Sequence, residues 1–399
     1  MSETDRKAER DPREEPGSPP ALAGFGREAD ESRGREHANG TQRPDAPFPP
    51  PSSTSRPKPA RRGEVGPVAG MTIERVVILA GFALLFFWPL LTQDVFYQRI
   101  GALVLLSAIS ASAWNLLGGY AGQVSVGHAV YFGAGAYASL VVYTRLGWPP
   151  IAGAPVGILV SCLLALVVGT PTFRLRGHYF SMATIAAAEL LRILAANWPL
   201  VGAAVGLMGP PTPRSVADLS FISPLPYHYL FLGVLIVLLL LTWQMQRSRM
   251  GYYLAAIRGG DRAARSLGVP VLRYKIYALL LSATFTSIAG SLYAVMVGFA
   301  DPDSVLGILV SVKLVITAAL GGAGTLFGPL VGAVILVPLE ETTNAWFGGS
   351  GTGITFIIYG AIILLITRFQ PGGMAELWRH TLLRLQRRPA AVESLDRAA

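Results

Sequence analysis

Apolar runs about twenty residues long recur along most of the chain, separated by polar segments. A helix needs about 20 mostly apolar residues to cross ~30 Å of hydrocarbon. Runs of this kind occupy residues 73–92, 97–117, 126–145, 150–170, 178–197, 229–246, 276–299, 305–320, 326–342 and 353–369. Gly127, Gly133 and Gly135 interrupt the third run, so a segment that enters the membrane and returns on the same side is an alternative to a full span there. The pattern predicts an all-α, polytopic membrane protein with about ten transmembrane helices.

The basic residues indicate how these spans are oriented. If the first span runs outward, the cytoplasmic side receives Arg61, Arg62, Arg75, Arg174, Arg176, Arg379, Arg384, Arg387 and Arg388. The outer side receives only Arg99, Arg145 and Arg214. Because Lys and Arg concentrate in cytoplasmic loops, both termini are predicted to be cytoplasmic. The same asymmetry accounts for the net charge of +9, so nucleic acid is not predicted as a partner.

Composition divides the chain into three predicted regions. Residues 1–70 are rich in Pro, Gly and charged residues, which is typical of a disordered cytoplasmic tail. Residues 71–373 carry the spans and form a transmembrane domain. In residues 374–399, apolar and basic residues alternate, which favours an amphipathic helix on anionic lipid.

The polar segment at 247–275 is long for a connection between spans, and the charge rule places it in the cytoplasm. It mixes seven basic side chains with residues of the kind that proteins bury: Leu254, Ala255, Ile257, Ala263, Ala264 and Leu267. This combination predicts a docking surface for a partner protein. The alternative is a basic amphipathic stretch that rests on lipid headgroups.

Catalytic and metal-binding motifs are missing from the sequence. It contains no phosphate-binding loop, no paired-histidine zinc motif and no nucleophile elbow, and its five histidines are scattered. The lone cysteine, Cys162, has no second thiol with which to form an internal disulfide. We therefore predict no catalytic residue, metal or cofactor, and expect any energy to come from a partner.

Small and ionisable residues within the spans are further candidates. Glycines four residues apart predict close helix packing or helices that slide between two arrangements: Gly118 and Gly122, then Gly324, Gly328 and Gly332. Glu189 and Arg192, three residues apart, are placed either to pair with each other or to line a solute pathway. Lys313 has no obvious local partner, whereas Glu340 and Glu341 are expected to be solvated. The predicted pathway residues are Gln123, Ser125, Glu189, Arg192 and Lys313.

Four ordered blocks of sequence, at 114–139, 173–193, 255–275 and 319–334, resemble the LivM-type permease subunit of branched-chain amino acid ABC importers. The resemblance covers roughly residues 73–373. It implies a multi-pass permease of the bacterial inner membrane that pairs with a second, LivH-type permease. Two cytoplasmic ATP-binding subunits and a periplasmic solute-binding protein would complete the importer.

The resemblance also assigns roles in the 247–275 segment. The family pattern Glu-Ala-Ala, followed four residues on by Gly, corresponds to Arg262, Ala263, Ala264 and Gly268, with Asp261 just before. Arginines would steer the segment onto an acidic partner surface, and glycines would bound its helix. The predicted coupling residues are Arg258, Gly259, Asp261, Arg262, Ala263, Ala264 and Gly268.

Other functions remain open on the sequence. A self-contained secondary carrier or channel would need its own ion-coupling site, and acidic residues within the spans are few. A membrane enzyme or a structural membrane anchor are weaker alternatives. Leucine-like amino acids are the default substrates of an importer of this kind, with urea, short amides or aromatic acids as the alternatives.

Overall fold

The computed structural model describes residues 68–175, 177–209, 221 and 223–346, with isolated positions between 353 and 374. The predicted tails at 1–70 and 374–399 and the last predicted span at 353–369 lie almost entirely outside these residues. The described helices are α1 (Val68–Leu91), α2 (Val95–Asn115), α3 (Ala129–Leu146), α4 (Gly153–Thr172), α5 (His178–Ala196), α6 (Pro224–Arg247), α7 (Arg249–Gly259), α8 (Asp261–Ser266), α9 (Val271–Val297), α10 (Pro302–Leu306), α11 (Ile308–Gly321) and α12 (Gly328–Trp346). Two short strands, β1 (Leu207–Met208) and β2 (Phe299–Ala300), pair antiparallel.

A helix occupies each of the first nine predicted spans, and the predicted polytopic, all-α fold is confirmed. Segments long and apolar enough to cross a membrane are Val95–Tyr120, Pro150–Thr172, His178–Ala196, Pro224–Arg247, Val271–Val297 and Pro302–Gly321. The largest boundary differences are five residues: α1, α6 and α9 begin at 68, 224 and 271 instead of the predicted 73, 229 and 276. Ser223 caps α6, since its side chain accepts a bond from the Leu225 amide, and Pro224 suits the first helical position.

Helix α2 lies at the centre of the bundle, where it packs against α6, α9, α11 and α12. In its most apolar window, 89% of the residues are buried. Many of them are small, and alanines such as Ala108 and Ala111 are completely buried. Small side chains let several neighbouring helices approach one helix from all sides.

Helices α3 and α9 pack so closely that their backbones are in contact at glycines. A methyl group on Gly135 would lie 1.9 Å from the carbonyl oxygen of Ser287, and one on Gly290 would lie 1.9 Å from that of Phe132. The Ser291 hydroxyl donates a 3.0 Å bond to the Gly135 carbonyl. Helix α3 is continuous from Ala129 to Leu146, so its glycines do not break it, and Gly135 serves this contact.

The segments predicted to be on the outer side meet through the two strands. Leu207 pairs with Ala300 and Met208 with Phe299. Directly after β2, Asp301 caps α10 by accepting bonds from the amides of Asp303 and Ser304. The short helix α10 is thereby held against α3 and α5.

Candidate coupling and translocation sites

The 247–275 segment folds into the helices α7 and α8 between α6 and α9. Ser248 caps α7 through a 3.2 Å bond from the Met250 amide. The chain turns at Gly260, with φ of 147°, and leaves α8 at Gly268, with φ of 80°. The local prediction of a glycine turn before the helix and a glycine at its end is confirmed.

One side of this segment packs inward. Leu254, Ile257, Ala264 and Val269 are buried against the rest of the chain. Ala264 therefore does not belong to an exposed docking face, and that part of the prediction is wrong. Its burial follows from the short α8, where one position of each turn must face the bundle.

The opposite side is exposed. Leu267 is 78% exposed, and the neighbouring residues Arg262, Ala263, Arg265 and Gly268 are exposed as well. On α7, Arg258 and Gly259 are also exposed. Exposed Leu267 beside two arginines is a candidate anchor for a partner protein. We call the residues 262, 263, 265, 267 and 268 the α8 face.

A buried ion pair fixes the base of α8. Lys275 Nζ lies 2.6 Å from Asp261 Oδ2, and the two side chains are 3% and 22% exposed. Asp261 is thus paired with Lys275 inside the protein. The exposed charge at the start of α8 is therefore that of Arg262. The sequence analysis counted Lys275 among the basic docking side chains, because nothing local marks a partner fourteen residues away.

Arg192 lies at the centre of a second ionic group. Its Nε and Nη2 atoms contact the Glu189 carboxylate at 2.6–3.1 Å, and its Nη1 lies 2.5 Å from Asp303 Oδ1. The predicted pairing of Glu189 with Arg192 is confirmed, while Asp303 was not foreseen. The three side chains are 26% (Arg192), 44% (Glu189) and 80% (Asp303) exposed, so the group is open to its surroundings.

Lys313 forms an ion pair with Glu340 of α12. Lys313 thus has a partner that is distant in sequence, and the expectation that Glu340 is solvated is wrong, because its side chain is 16% exposed. Helices α11 and α12 pack against each other as a hairpin, which brings residues of the two helices side by side. Within the described part of the chain, no hydrogen bond or ion pair joins this pair to the Arg192 group.

The segment between α2 and α3 holds the remaining predicted pathway residues, Gln123 and Ser125, and Ser125 belongs to a polar network. Trp114 Nε1 donates a 2.7 Å bond to the Ser125 carbonyl, and the Ser125 hydroxyl lies 3.2 Å from His128 Nδ1. His128 Nε2 contacts the Ser282 hydroxyl at 2.8 Å, and that hydroxyl donates to the Ala113 carbonyl. The serine proton is thereby used, so Nε2 must carry the histidine proton. The Gln123 amide bonds locally to the Ala121 carbonyl.

The next residue of α2, Asn115, was missed by the sequence analysis. It is buried, and its side chain accepts a 2.7 Å bond from the Gly324 amide and donates a 2.9 Å bond to the Thr325 carbonyl. These bonds join the end of α2 to the loop between α11 and α12. An asparagine inside an apolar run is a usable signal, because a buried amide needs partners.

The predicted glycine rows are only partly helix contacts. Gly328 and Gly332 do lie where α11 meets α12, and a methyl group on Gly332 would be 1.9 Å from the Thr317 carbonyl oxygen. Gly122 and Gly324 lie in loops with φ of 68° and 85°, so their assignment to helix faces is wrong. Gly118 lies in the π-helical turn Leu116–Tyr120, where it makes room for the Trp114 ring.

Several known proteins are similar to this chain in amino-acid sequence. The high-affinity branched-chain amino acid transport system permease protein LivM of Salmonella typhimurium is 26% identical over 344 residues, which cover 79% of this chain and 78% of LivM. LivM of Escherichia coli K12 has the same identity and coverage. The autoinducer 2 import system permease protein LsrC of Klebsiella pneumoniae is 27% identical over 187 residues, covering 41% of this chain and 53% of LsrC.

Among solved structures, PsaBC from Streptococcus pneumoniae in complex with Fab has a TM-score of 0.40 and 19% sequence identity, covering 77% of this chain and 99% of that chain. The family described as the permease component of branched-chain amino acid transport systems matches residues 97–367, more than half of the chain. The resemblance found in the four sequence blocks is thus confirmed, and the chain belongs to this family of multi-pass inner-membrane permeases.

Proposed function

We propose that the chain is the LivM-type permease subunit of an ATP-driven importer for branched-chain amino acids or similar small polar solutes. The family match and the two LivM relatives, which align over most of both chains, support this function. The LsrC relative belongs to an autoinducer 2 import system and aligns over a smaller part. The substrate is therefore proposed as a class rather than as one compound.

In this proposal the chain works with ATP-binding and solute-binding components and with a second, LivH-type permease. Only 22% of the most apolar window is buried in α5, and the same share in the Pro150–Thr172 segment that contains α4. These helices therefore have broad faces that the chain itself does not cover. Such faces suit contact with lipid and with the second permease, and ATP would be hydrolysed by the ATP-binding subunits.

The proposed coupling role rests on one observation: the α8 face is exposed, while the start of α8 is held by an ion pair. Leu267 supplies an apolar anchor, and Arg262 and Arg265 supply charge that can register an acidic partner surface. The Asp261–Lys275 pair ties the start of α8 to α9. Movement of an ATP-binding subunit against this face would therefore reach α9 directly, and α6 through α7.

We assign the solute pathway to the open side of α5. An α-amino acid carries one carboxylate and one ammonium group, and the Arg192 group offers one guanidinium and two carboxylates. Arginine recognises a carboxylate with two parallel bonds, so exchange of Glu189 or Asp303 for the solute carboxylate is chemically matched. Gln123, Ser125 and Lys313 have structural roles in this proposal, because their polar groups are engaged within the chain.

The mechanism that follows is alternating access. A loaded solute-binding protein docks on the outer side and releases the solute between the two permeases. Closure of the ATP-binding subunits then moves α7 and α8, and the cavity opens to the cytoplasm.

The α8 face is tested with the substitution Leu267→Asp in the assembled importer. A buried carboxylate in an apolar contact should release the ATP-binding subunits on purification and abolish leucine uptake into proteoliposomes. Val205→Asp, at an equally exposed apolar position of the outer segment, is the matched control and should retain both. Retention of the ATP-binding subunits by Leu267→Asp would reject the docking assignment. Uptake by vesicles that lack those subunits would favour the alternative of a self-contained carrier.

A further inference from the structure

Arg258 of α7 lies against the membrane domain as well as at the surface. A methyl group on Gly122 would lie 3.2 Å from Arg258 Cγ, and one on Gly324 would lie 2.0 Å from its Nη1 atom. The arginine stem therefore covers one loop, and its guanidinium occupies the side-chain position of the other. Nothing in the local sequence indicates this contact, because the two glycines are separated by about two hundred residues.

Both glycines lie in backbone turns that disfavour other residues. Gly122 has φ of 68° and follows the π-helical turn that ends α2, while Gly324 has φ of 85° in the loop between α11 and α12. L-residues rarely adopt such angles, and each turn leaves the space above its Cα open. Arg258 fills the space above both turns.

The two glycine loops are tied to α2 by consecutive side chains. Trp114 bonds to the carbonyl of Ser125 in the first loop, and Asn115 bonds to Gly324 and Thr325 in the second. Helix α2 is also the centrally packed helix of the bundle. A displacement of either loop is therefore a displacement relative to the buried end of α2.

A second connection runs beside Arg258. Gln246, at the end of α6, donates a hydrogen bond to the Tyr120 hydroxyl in the π-helical turn. Helix α7 itself contacts that turn. The segment that carries the α8 face thus meets the membrane domain at the point where α2 ends.

We infer that Arg258 is a positioning residue that transmits movement of α7 to the Gly122 and Gly324 loops. It does not act as a docking residue for the ATP-binding subunit. This inference rests on the proposed function, in which an ATP-binding subunit moves α7 and α8. Movement of α7 shifts the guanidinium across Gly324, and the Asn115 bonds carry the shift to α2 and to the α11–α12 hairpin.

The test uses the complete importer in proteoliposomes and compares Arg258→Ala with Arg262→Ala, an exposed arginine of the α8 face. Four quantities are measured: retained ATP-binding subunits, basal ATP hydrolysis, stimulation by loaded solute-binding protein, and leucine taken up per ATP. Arg258→Ala should retain the subunits and basal hydrolysis but lower the uptake per ATP by about tenfold, a typical coupling between distant sites. Arg262→Ala should weaken subunit retention and leave the uptake per ATP unchanged.

Two further variants sharpen the test. Gly324→Ala keeps Arg258 but places a methyl group where its guanidinium lies, at a turn whose φ of 85° also disfavours alanine, so it should lower the uptake per ATP at least as far. Arg258→Lys keeps the stem over Gly122 and should restore part of the lost uptake per ATP.

Each other outcome contradicts either the inference or the proposed function on which it rests. Loss of the ATP-binding subunits in Arg258→Ala would make Arg258 a docking residue, with the proposed function still intact. Unchanged uptake per ATP in Arg258→Ala or Gly324→Ala would reject transmission through this contact. Failure of the unmodified chain to retain ATP-binding subunits would instead reject the proposed function.

Discussion

Two ionic groups of this chain have similar chemistry and opposite surroundings. The Asp261–Lys275 pair is almost closed to solvent, whereas the group around Arg192 is open, with Asp303 80% exposed. A buried pair is costly to disrupt, because the remaining charge has neither partner nor water. An exposed group contributes little to stability and is free to exchange partners. In the proposed function, the Asp261–Lys275 pair therefore holds the 247–275 segment in place, and the Arg192 group contacts the solute.

Helices α2 and α5 show a similar contrast. In their most apolar windows, 89% of the residues are buried in the α2 segment and 22% in α5, although their mean hydropathies of 1.8 and 1.4 both fit a membrane span. Trp114 and Asn115 at the end of α2 are buried, whereas Glu189 and Arg192 of α5, although paired, lie open. Hydropathy finds the spans but does not separate the central helix from the peripheral one.

The largest expected effect on stability comes from the buried pair. Lys275→Met leaves the Asp261 carboxylate without its partner, and the free energy of unfolding should fall by about 3–5 kcal/mol. Thermal or denaturant unfolding of the purified protein measures this. Arg273→Met, an exposed basic residue on the same helix, is the control and should have little effect. The pair is not structural if both variants unfold alike, and adding Asp261→Leu to Lys275→Met should recover stability.

A smaller effect is expected from filling the packed centre of the bundle. Ala108 of α2 is completely buried, so Ala108→Leu must displace its neighbours and should cost about 1–3 kcal/mol. Ala186 of α5 is exposed, and Ala186→Leu should leave the unfolding midpoint unchanged. Equal tolerance of leucine at both positions would contradict the contrast between the central and the peripheral helix.

The smallest expected effect on stability comes from the exposed ionic group. Arg192→Gln should leave the unfolding midpoint close to that of the unmodified protein, because the Glu189 and Asp303 carboxylates are exposed rather than buried. Leucine uptake by the assembled importer should nevertheless fall, with the KM for the loaded solute-binding protein unchanged, because the solute carboxylate loses its guanidinium partner. Undiminished uptake would remove Arg192 from the proposed pathway.

Short-range features were predictable from the chain alone. The apolar runs locate nine described helices, and Glu189 and Arg192 pair because they lie one turn apart on one helix. The turn at Gly260 and the end of α8 at Gly268 follow from residues that stand directly beside the helix. In each case the interacting groups lie within a few residues of each other along the chain. The backbone geometry of one element is therefore enough to predict the contact.

Long-range partners were not predictable in this way. Asp303 beside Arg192, Glu340 beside Lys313 and Asp261 beside Lys275 depend on which helices pack together. The inward side of Ala264 and the position of Arg258 over two glycine loops depend on the same packing. Hydropathy and spacing describe single elements, and a single sequence contains no measure of which elements meet.

The order of apolar and basic segments was sufficient to predict a polytopic helical membrane protein with the 247–275 segment on its cytoplasmic side, because bilayer thickness and loop charge act on each segment separately. The choice of Arg262 over Asp261 as the outward charge, and the contact of Arg258 with Gly122 and Gly324, came from packing between distant helices. Such contacts are selected by the burial and pairing of groups that are far apart along the chain, and these become neighbours only after the bundle has assembled.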